Sequence, residues 1–296
     1  MPLPAQPWPT GKAERLEPLV ARLLAPNPSP FTYTGTQTYL VGGAGGLAVI
    51  DPGPNDPAHL AALGAAIGDR CVIAIACTHT HRDHSPAAAP LAARTGAPVV
   101  GCAPLTPVRA SGEQSSPPRA EAPFDPTYAP DRVLADCERI AGPGWTLTAL
   151  ATPGHTSNHL CFALEESGAL FTGDHVMGWS TTVVSPPDGD MDDYMASLAR
   201  LAAREDRIYY PAHGPAVERP AQLLRGIIGH RRQRERQILK LLGENAASVP
   251  ELVRVMYRGL DEALWKAAGQ SLLAHLIALE RRGQVARSGG IWSTSA

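Results

Sequence analysis

No stretch of the 296-residue chain approaches the roughly 20 apolar residues that a bilayer-spanning helix needs, which excludes a class built on transmembrane helices. The first residues, Met1-Pro2-Leu3-Pro4-Ala5, lack the basic-then-apolar layout of a secretory leader, and Arg22 interrupts the best apolar run near them. Cysteine is sparse: Cys71, Cys77, Cys102, Cys137 and Cys161 are odd in number, scattered, and never spaced C-x-x-C. That pattern fits reduced thiols in a cytoplasm, not a disulfide framework. What is left is a chain long enough to bury a substantial core, with room for one large domain and a small one.

What the chain does have is a dense run of ligand-type residues. Residues 78 to 84 read Thr-His-Thr-His-Arg-Asp-His, so that His79, His81, Asp83 and His84 form H-x-H-x-D-H. Single histidines are usually solvated polar residues; three with an aspartate in six positions are not explained that way. The preceding Val72-Ile73-Ala74-Ile75-Ala76-Cys77 reads as a buried strand, so the cluster sits where a strand ends and a loop opens. Three more ligand-type sites follow apolar or β-rich segments in Gly- or Pro-marked turns. They are Thr152-Pro153-Gly154-His155, Thr172-Gly173-Asp174-His175 and Pro211-Ala212-His213-Gly214. Four strand ends bearing His or Asp describe one convergent centre. Asp51, after Leu47-Ala48-Val49-Ile50, reads either as the start of an Asp-Pro-Gly turn or as a carboxylate that orients a metal-bound histidine. His159 and His175 adjoin ligand motifs without a metal assigned to them and read as histidines that either support the ligands from behind or lie at the surface, and Asp192 and Asp193 read as an acidic helix start.

These motifs resemble those of the metallo-β-lactamase-fold hydrolases. The resemblance implies an α/β fold, the αββα sandwich, with His79, His81 and His155 on one metal ion. It implies Asp83, His84 and His213 on a second, with Asp174 bridging and Asp51 supporting the metal loop. Two Zn²⁺ ions suit imidazole and carboxylate donors, with iron or manganese as other occupants. A hydroxide bridging the two ions is the implied nucleophile, and Asp83 and Asp174 the carboxylates closest to the chemistry. Di-iron flavoprotein relatives carry Glu where His81 stands, which favours zinc. The best-known zinc β-lactamases carry Cys at the place of Asp174, which disfavours antibiotic hydrolysis. A mononuclear-iron dioxygenase acting on persulfides would use the positions of His79, His155 and Asp174 and stays open. A non-catalytic module sits poorly with a complete ligand set.

Around the motifs, the reading is a short helix near Ala13–Leu24, a hairpin through Thr36–Val41 and Leu47–Ile50, and a helix over His59–Ile67. Residues 103 to 131, with seven prolines, read as a long irregular loop that either covers the site or is merely irregular. Val183–Met195 is a second loop candidate. Ala221–Leu242 is a long basic helix, Ser248-Val249-Pro250-Glu251 a capping box opening a second helix, and Leu264-Trp265 a short helix. A further helix carries Leu272, Leu273, Leu276, Ile277 and Leu279, and a hairpin follows. Three helices and a hairpin describe a small winged-helix-like α+β domain. The expected boundaries are residues 1–243 for the hydrolase domain, including the basic linker helix 221–242, and 244–296 for the tail. The combination resembles the metallo-β-lactamase-like protein 2 group, which includes a single-stranded-RNA endonuclease and thioesterases that release polyketides.

Charge divides the chain. Residues 1–220 hold 14 Lys and Arg against 22 Asp and Glu, while residues 221–296 hold 12 against 6. A basic tail beside a metal centre inclines the reading toward the phosphodiester backbone of single-stranded RNA, with Arg232 and Arg236, one turn apart, as contacts. A thioester or ester is the alternative substrate of the same site. The poverty of Arg and Lys in the last helix speaks against sequence-specific DNA binding.

Overall fold

A computed structural model describes residues 8–105, 124–261 and 264–295. Packing divides the chain into two units. One comprises Met1–Thr152, Asn158–Ser180 and Glu205–Pro220; the other comprises Pro153–Ser157, Thr181–Arg204 and Ala221–Ala296.

The first unit opens on two antiparallel hairpins, β1 (Glu14–Glu17) with β2 (Val20–Leu24) and β3 (Gln37–Gly43) with β4 (Gly46–Ile50). The helix expected near Ala13–Leu24 is therefore a correction: this stretch is strand. In Val20-Ala21-Arg22-Leu23-Leu24, Val20, Leu23 and Leu24 are buried while Arg22 reaches the Glu14 carboxylate of the neighbouring strand at 2.8 Å. Cross-strand pairing outweighs the helical spacing of these leucines.

Two βαβ crossovers follow: β4, helix α1 (Pro57–Ile67), β5 (Val72–Cys77), helix α2 (Ala88–Thr95) and β6 (Val99–Gly101). Asp56 caps α1, accepting from the amide of His59 at 2.8 Å, with Pro57 in the first turn. β7 (Arg132–Val133) completes a seven-stranded sheet in chain order, parallel from β4 onward. A second, five-stranded sheet has the order β12 (Ile208–Pro211), β11 (Ala169–Gly173), β10 (Leu160–Leu164), β9 (Trp145–Ala151), β8 (Arg139–Gly142). Only its β11–β12 pair is parallel. One apolar core, with Val41, Leu47, Ile75, Trp145, Phe162 and Phe171 among its members, takes side chains from both sheets. The expected loop over residues 103–131 lies outside the described residues from 106 to 123.

In the second unit, α3 (Met191–Ala202) opens with Asp190 accepting from the amides of Asp192 and Asp193. Asp192 and Asp193 fall in the acidic first turn of that helix. The long helix α4 (Pro220–Glu244) precedes β13 (Ala247–Ser248) and α5 (Val249–Met256), whose start is the Ser248–Glu251 capping box. The two helices expected around Leu264-Trp265 and Leu272–Leu279 are a single one, α6 (Trp265–Arg281). A three-stranded antiparallel sheet, β13, β15 (Ile291–Thr294) and β14 (Val285–Ser288), closes the tail. Its small core takes Ile238 and Leu242 from the end of α4 together with Leu252, Leu272, Leu276, Leu279 and Trp292. The third helix of the winged-helix layout is thus the end of α4. No helix among the described residues is long and apolar enough to cross a membrane.

Candidate metal centre

β4 and β5 are adjacent and parallel, so Asp51 and Thr78 follow their carboxyl ends side by side. β11 and β12 are also parallel, and they deliver Asp174 and His213 in the same way. Loops outside the carboxyl ends of parallel strands are the usual place for α/β chemistry. Gly173 makes the approach between the sheets possible. Its φ is +48°, and a Cβ there would stand 2.7 Å from both His159 Nε2 and Thr78 Oγ1. Any side chain would push the end of β11, and Asp174 with it, away from β5.

The sequence-predicted ligands converge into two groups, each with its ligand atoms mutually within 4.8 Å: His79, His81, His155 and Asp174, and Asp83, His84 and His213. Asp174 faces both. Its Oδ1 lies 3.2 Å from His213 Nε2 and 3.5 Å from His84 Nε2, while its Oδ2 lies 4.0 Å from His79 Nε2. Asp83 Oδ2 lies 3.3 Å from His84 Nε2 and 3.2 Å from His213 Nε2.

A surrounding layer fixes ring orientations. Asp51 Oδ2 accepts from His84 Nδ1 at 3.0 Å and from the Thr78 hydroxyl at 2.8 Å, while Oδ1 accepts from the Thr78 amide at 2.8 Å. Thr78 Oγ1 in turn lies 3.0 Å from His79 Nδ1. One carboxylate therefore holds two rings with Nε2 turned inward, His84 directly and His79 through a hydroxyl. Asp51 adopts a left-handed φ of +48°, tolerated by Asp better than by most side chains. Its carbonyl accepts from Thr38 Oγ1 at 2.7 Å, and His59 Nε2 lies 3.2 Å from that hydroxyl and 3.0 Å from Pro52 O.

His213 Nδ1 lies 3.3 Å from Gly35 O, and Thr36 Oγ1 donates to Asp83 Oδ2 at 2.9 Å. Gln37 Nε2 donates to Pro211 O and Gly214 O, clasping the His213 loop to β3. His155 Nδ1 donates to Val183 O at 2.7 Å. His159 is buried; its Nε2 accepts from the Asp174 amide at 3.2 Å, and its Nδ1 contacts Thr152 Oγ1 at 2.9 Å. His175 is buried as well. Neither histidine is a surface residue. Thr36, Thr78 and Thr152 carry no sequence signal apart from standing at strand starts or ends next to a ligand motif.

The donor set fits divalent cations. Burial disfavours a charged imidazole, but the carboxylates of Asp83, Asp174 and Asp51 outweigh burial and hold His84 well above its ordinary pKa. His213 is raised to about 10, Asp174 and Asp83 overcoming its burial. Burial would raise both aspartates, yet His84 and His213 hold them well below the carboxylate range. Without a cation, protons on two imidazoles compensate two carboxylates. His84 Nε2 is nonetheless buried without a hydrogen bond of its own, although it points among three ligand-type groups. A divalent ion held by Asp83, His84 and His213 would satisfy that nitrogen and take the place of the protons.

Comparison with known proteins agrees with this geometry. Residues 32–213 match the metallo-beta-lactamase superfamily profile, and residues 248–292 match the beta-lactamase associated winged helix domain. The chain belongs to the metallo-beta-lactamase superfamily and is a metal-dependent hydrolase with a C-terminal winged-helix domain. Within it, the chain is 32% identical over 278 residues to a beta-lactamase-like protein 2 homolog of Drosophila melanogaster, covering 92% of this chain and 91% of that one. It is 31% identical over 266 residues to an atrochrysone carboxyl ACP thioesterase of a Cryptosporiopsis species, covering 84% and 75% respectively. A metallo-beta-lactamase family protein of Thermus thermophilus superposes with a TM-score of 0.76 at 25% identity, covering 95% of this chain and 100% of that structure.

Proposed function

We propose that the chain is a dinuclear zinc hydrolase that cleaves a thioester or ester. The observation that carries this reading is Asp174, one oxygen of which faces His84 and His213 and the other His79. On this assignment His79, His81 and His155 hold one ion, Asp83, His84 and His213 the other, and Asp174 is shared. Imidazole and carboxylate donors suit zinc. When bound, the ions supply Lewis acidity and a hydroxide near neutral pH. The protein's own part is to hold the rings in one tautomer through Asp51 and Thr78 and to keep Asp174 fixed through His159. Asp83, at 25% side-chain exposure, is the more open of the two carboxylates, and we assign it the handling of the proton as the leaving group departs. On this reading residues 1–243 form the hydrolase domain and 244–296 the winged-helix-like domain, with the end of α4 lending Ile238 and Leu242 to the core of the latter.

The thioester is preferred because four of the twelve basic residues of the tail are already engaged by packing or pairing. Arg231 is buried, Arg234 lies over the Tyr257 ring at 4.7 Å, Arg281 pairs with Asp190 and Arg282 with Glu235. The thioesterase name of one relative supports the same substrate class. The second reading, hydrolysis of single-stranded RNA, is favoured by Arg232 and Arg236, which remain exposed on α4.

The metal-loaded protein should turn over acyl thioesters, assayed in parallel with labelled single-stranded RNA, and R232E/R236E should leave thioester turnover unchanged. RNA cleavage without thioester turnover, weakened in R232E/R236E with a flatter salt dependence, would move the nuclease reading ahead.

A further inference from the structure

We infer that Arg231, a buried cation on α4, is a positioning residue for the His155 end of the metal centre. The inference rests on the reading of His155 as a ligand. Every contact it uses lies inside the second unit.

His155 sits in the five-residue segment Pro153–Ser157, which packs with that unit. Its Nδ1–H donates to Val183 O at 2.7 Å, which turns Nε2 to the other side of the ring as the ligand atom. The segment is gripped along its length. Ser197 Oγ donates to Pro153 O at 2.8 Å, the Asp190 amide to Gly154 O at 2.9 Å, and Ser157 Oγ to Asp188 at 2.5 Å. Gly154, with φ at +135°, lies so close to α3 that a Cβ would stand 2.3 Å from Tyr194 Cα. Two supports therefore set the ring: the carbonyl at Val183 and the Tyr194 backbone beneath Gly154.

Arg231 contacts the peptide preceding the first support and the side chain of the residue that forms the second. Its Nη2 donates to Thr182 O, the carbonyl immediately before that of Val183. Its guanidinium carbon lies 5.2 Å from the centre of the Tyr194 ring, and Nη1 donates to Ser271 Oγ on α6 at 3.2 Å. Arg231 is only 3% exposed, as is expected of a residue held by its packing. Burying a guanidinium is costly, and an apolar side chain of similar volume usually fills such a space at least as well. A planar donor fork, however, fixes the direction of a backbone carbonyl where an apolar group cannot. The cation orients the Thr182–Val183 backbone and so the imidazole that hangs from it.

The test uses the full-length protein with R231M, R231K and, as an exposed control on the same helix, K240M. Zinc affinity is measured by competition with a chromophoric chelator, which resolves two binding steps. R231M should keep its circular dichroism but lose about 10- to 100-fold in the affinity of one step, the range seen when the outer partner of a ligating His is removed. The other step should stay as in the parent, R231K should recover part of the loss, and K240M should match the parent. In the metal-free protein, the His155 Nδ1–H signal should exchange with water faster in R231M. If R231M does not fold, S271A carries the test, with a several-fold loss confined to one step. A folded R231M with both steps as in the parent, or both weakened by the same factor, overturns the inference. A parent chain that takes up no zinc overturns the ligand reading instead.

Discussion

The two ends of the centre are held by different kinds of support. At the Asp83–His84–His213 end, every supporting contact comes from the first unit: Asp51 behind His84, Thr36 behind Asp83, and Gly35 O behind His213. These groups stand at the ends of strands whose other side chains fill the main core. His155 is held instead by Val183 O, and its segment by α3 and the loop that precedes it. One end therefore inherits the rigidity of a sheet, while the other depends on a loop of about ten residues pinned by side chains. Placing ligands on strand ends fixes them at little extra cost, whereas a loop needs its own set of polar contacts.

The change that removes the difference between the two ends is Asp174→Ala, because on the proposed assignment it takes a ligand from both. Turnover should fall by about three orders of magnitude or more, and elemental analysis should show fewer than two equivalents of metal. The fold should survive, since the apolar core is built without the metals. Near-parental activity in a folded variant would show that the two groups do not share this residue.

The metal-free protein sharpens the contrast through pH. His213 is raised to about 10, so its proton stabilises the folded chain fully below its unfolded value near 6.5, and that stability is lost as pH rises through 10. His84 is shifted in the same direction. Chelator-treated protein should therefore melt lower at pH 10.5 than at pH 7, by on the order of 5 °C or more. Zinc-loaded protein should show a much smaller drop, because the ion already occupies the place of the protons. Equal drops with and without zinc would mean that the imidazoles of this end do not bind the ion.

Asp51→Asn acts first on the sheet-supported end, through His84, and only indirectly on His79. Asp51 accepts three hydrogen bonds from Thr78 and His84, and an amide nitrogen cannot accept. About a 10- to 100-fold loss of affinity in one zinc-binding step is expected. It should be accompanied by a smaller loss at the other step, since His79 is reached only through Thr78. Unchanged affinity would leave Asp51 with only its turn role.

The ligands are legible in the sequence because each stands in a Gly- or Pro-marked turn after an apolar run, and the histidines are rare enough to be noticed. Their supports are not. Thr78, Thr36 and Thr152 are ordinary residues whose role depends on which strands become neighbours. Val183 and Thr182 act through backbone carbonyls, which no side chain announces. Arg231 reads as one of six cations on a solvated helix, and only packing separates it from Arg232. The hairpin at Glu14–Leu24 has the local spacing of a helix, but pairing with β3 decides its conformation. α6 reads as two helices because the apolar spacing is densest in its second half and Gly269 stands between the two stretches, yet the helix runs through it.

The smallest expected effect concerns the second unit away from the metal. Glu235 on α4 pairs with Arg282 at 2.7 Å and lies 3.6 Å from His275, which is buried on α6. Burial would raise the carboxyl, but the His275 and Arg282 contacts outweigh it and lower the pKa to about 2. A depressed carboxyl contributes stability above its unfolded value near 4.5 and loses it as pH falls through 2. The group is partly open to solvent, so screening reduces its worth to about 1–2 kcal/mol. Glu235→Gln should lower the melting temperature at pH 7 by roughly 2–5 °C, and by progressively less between pH 4.5 and 2. Both zinc-binding steps should be unaffected, because none of these contacts reaches the Pro153–Ser157 segment. Loss of a zinc step in this variant would mean that the tail supports the His155 end through its general stability, and the special place given to Arg231 would go with it.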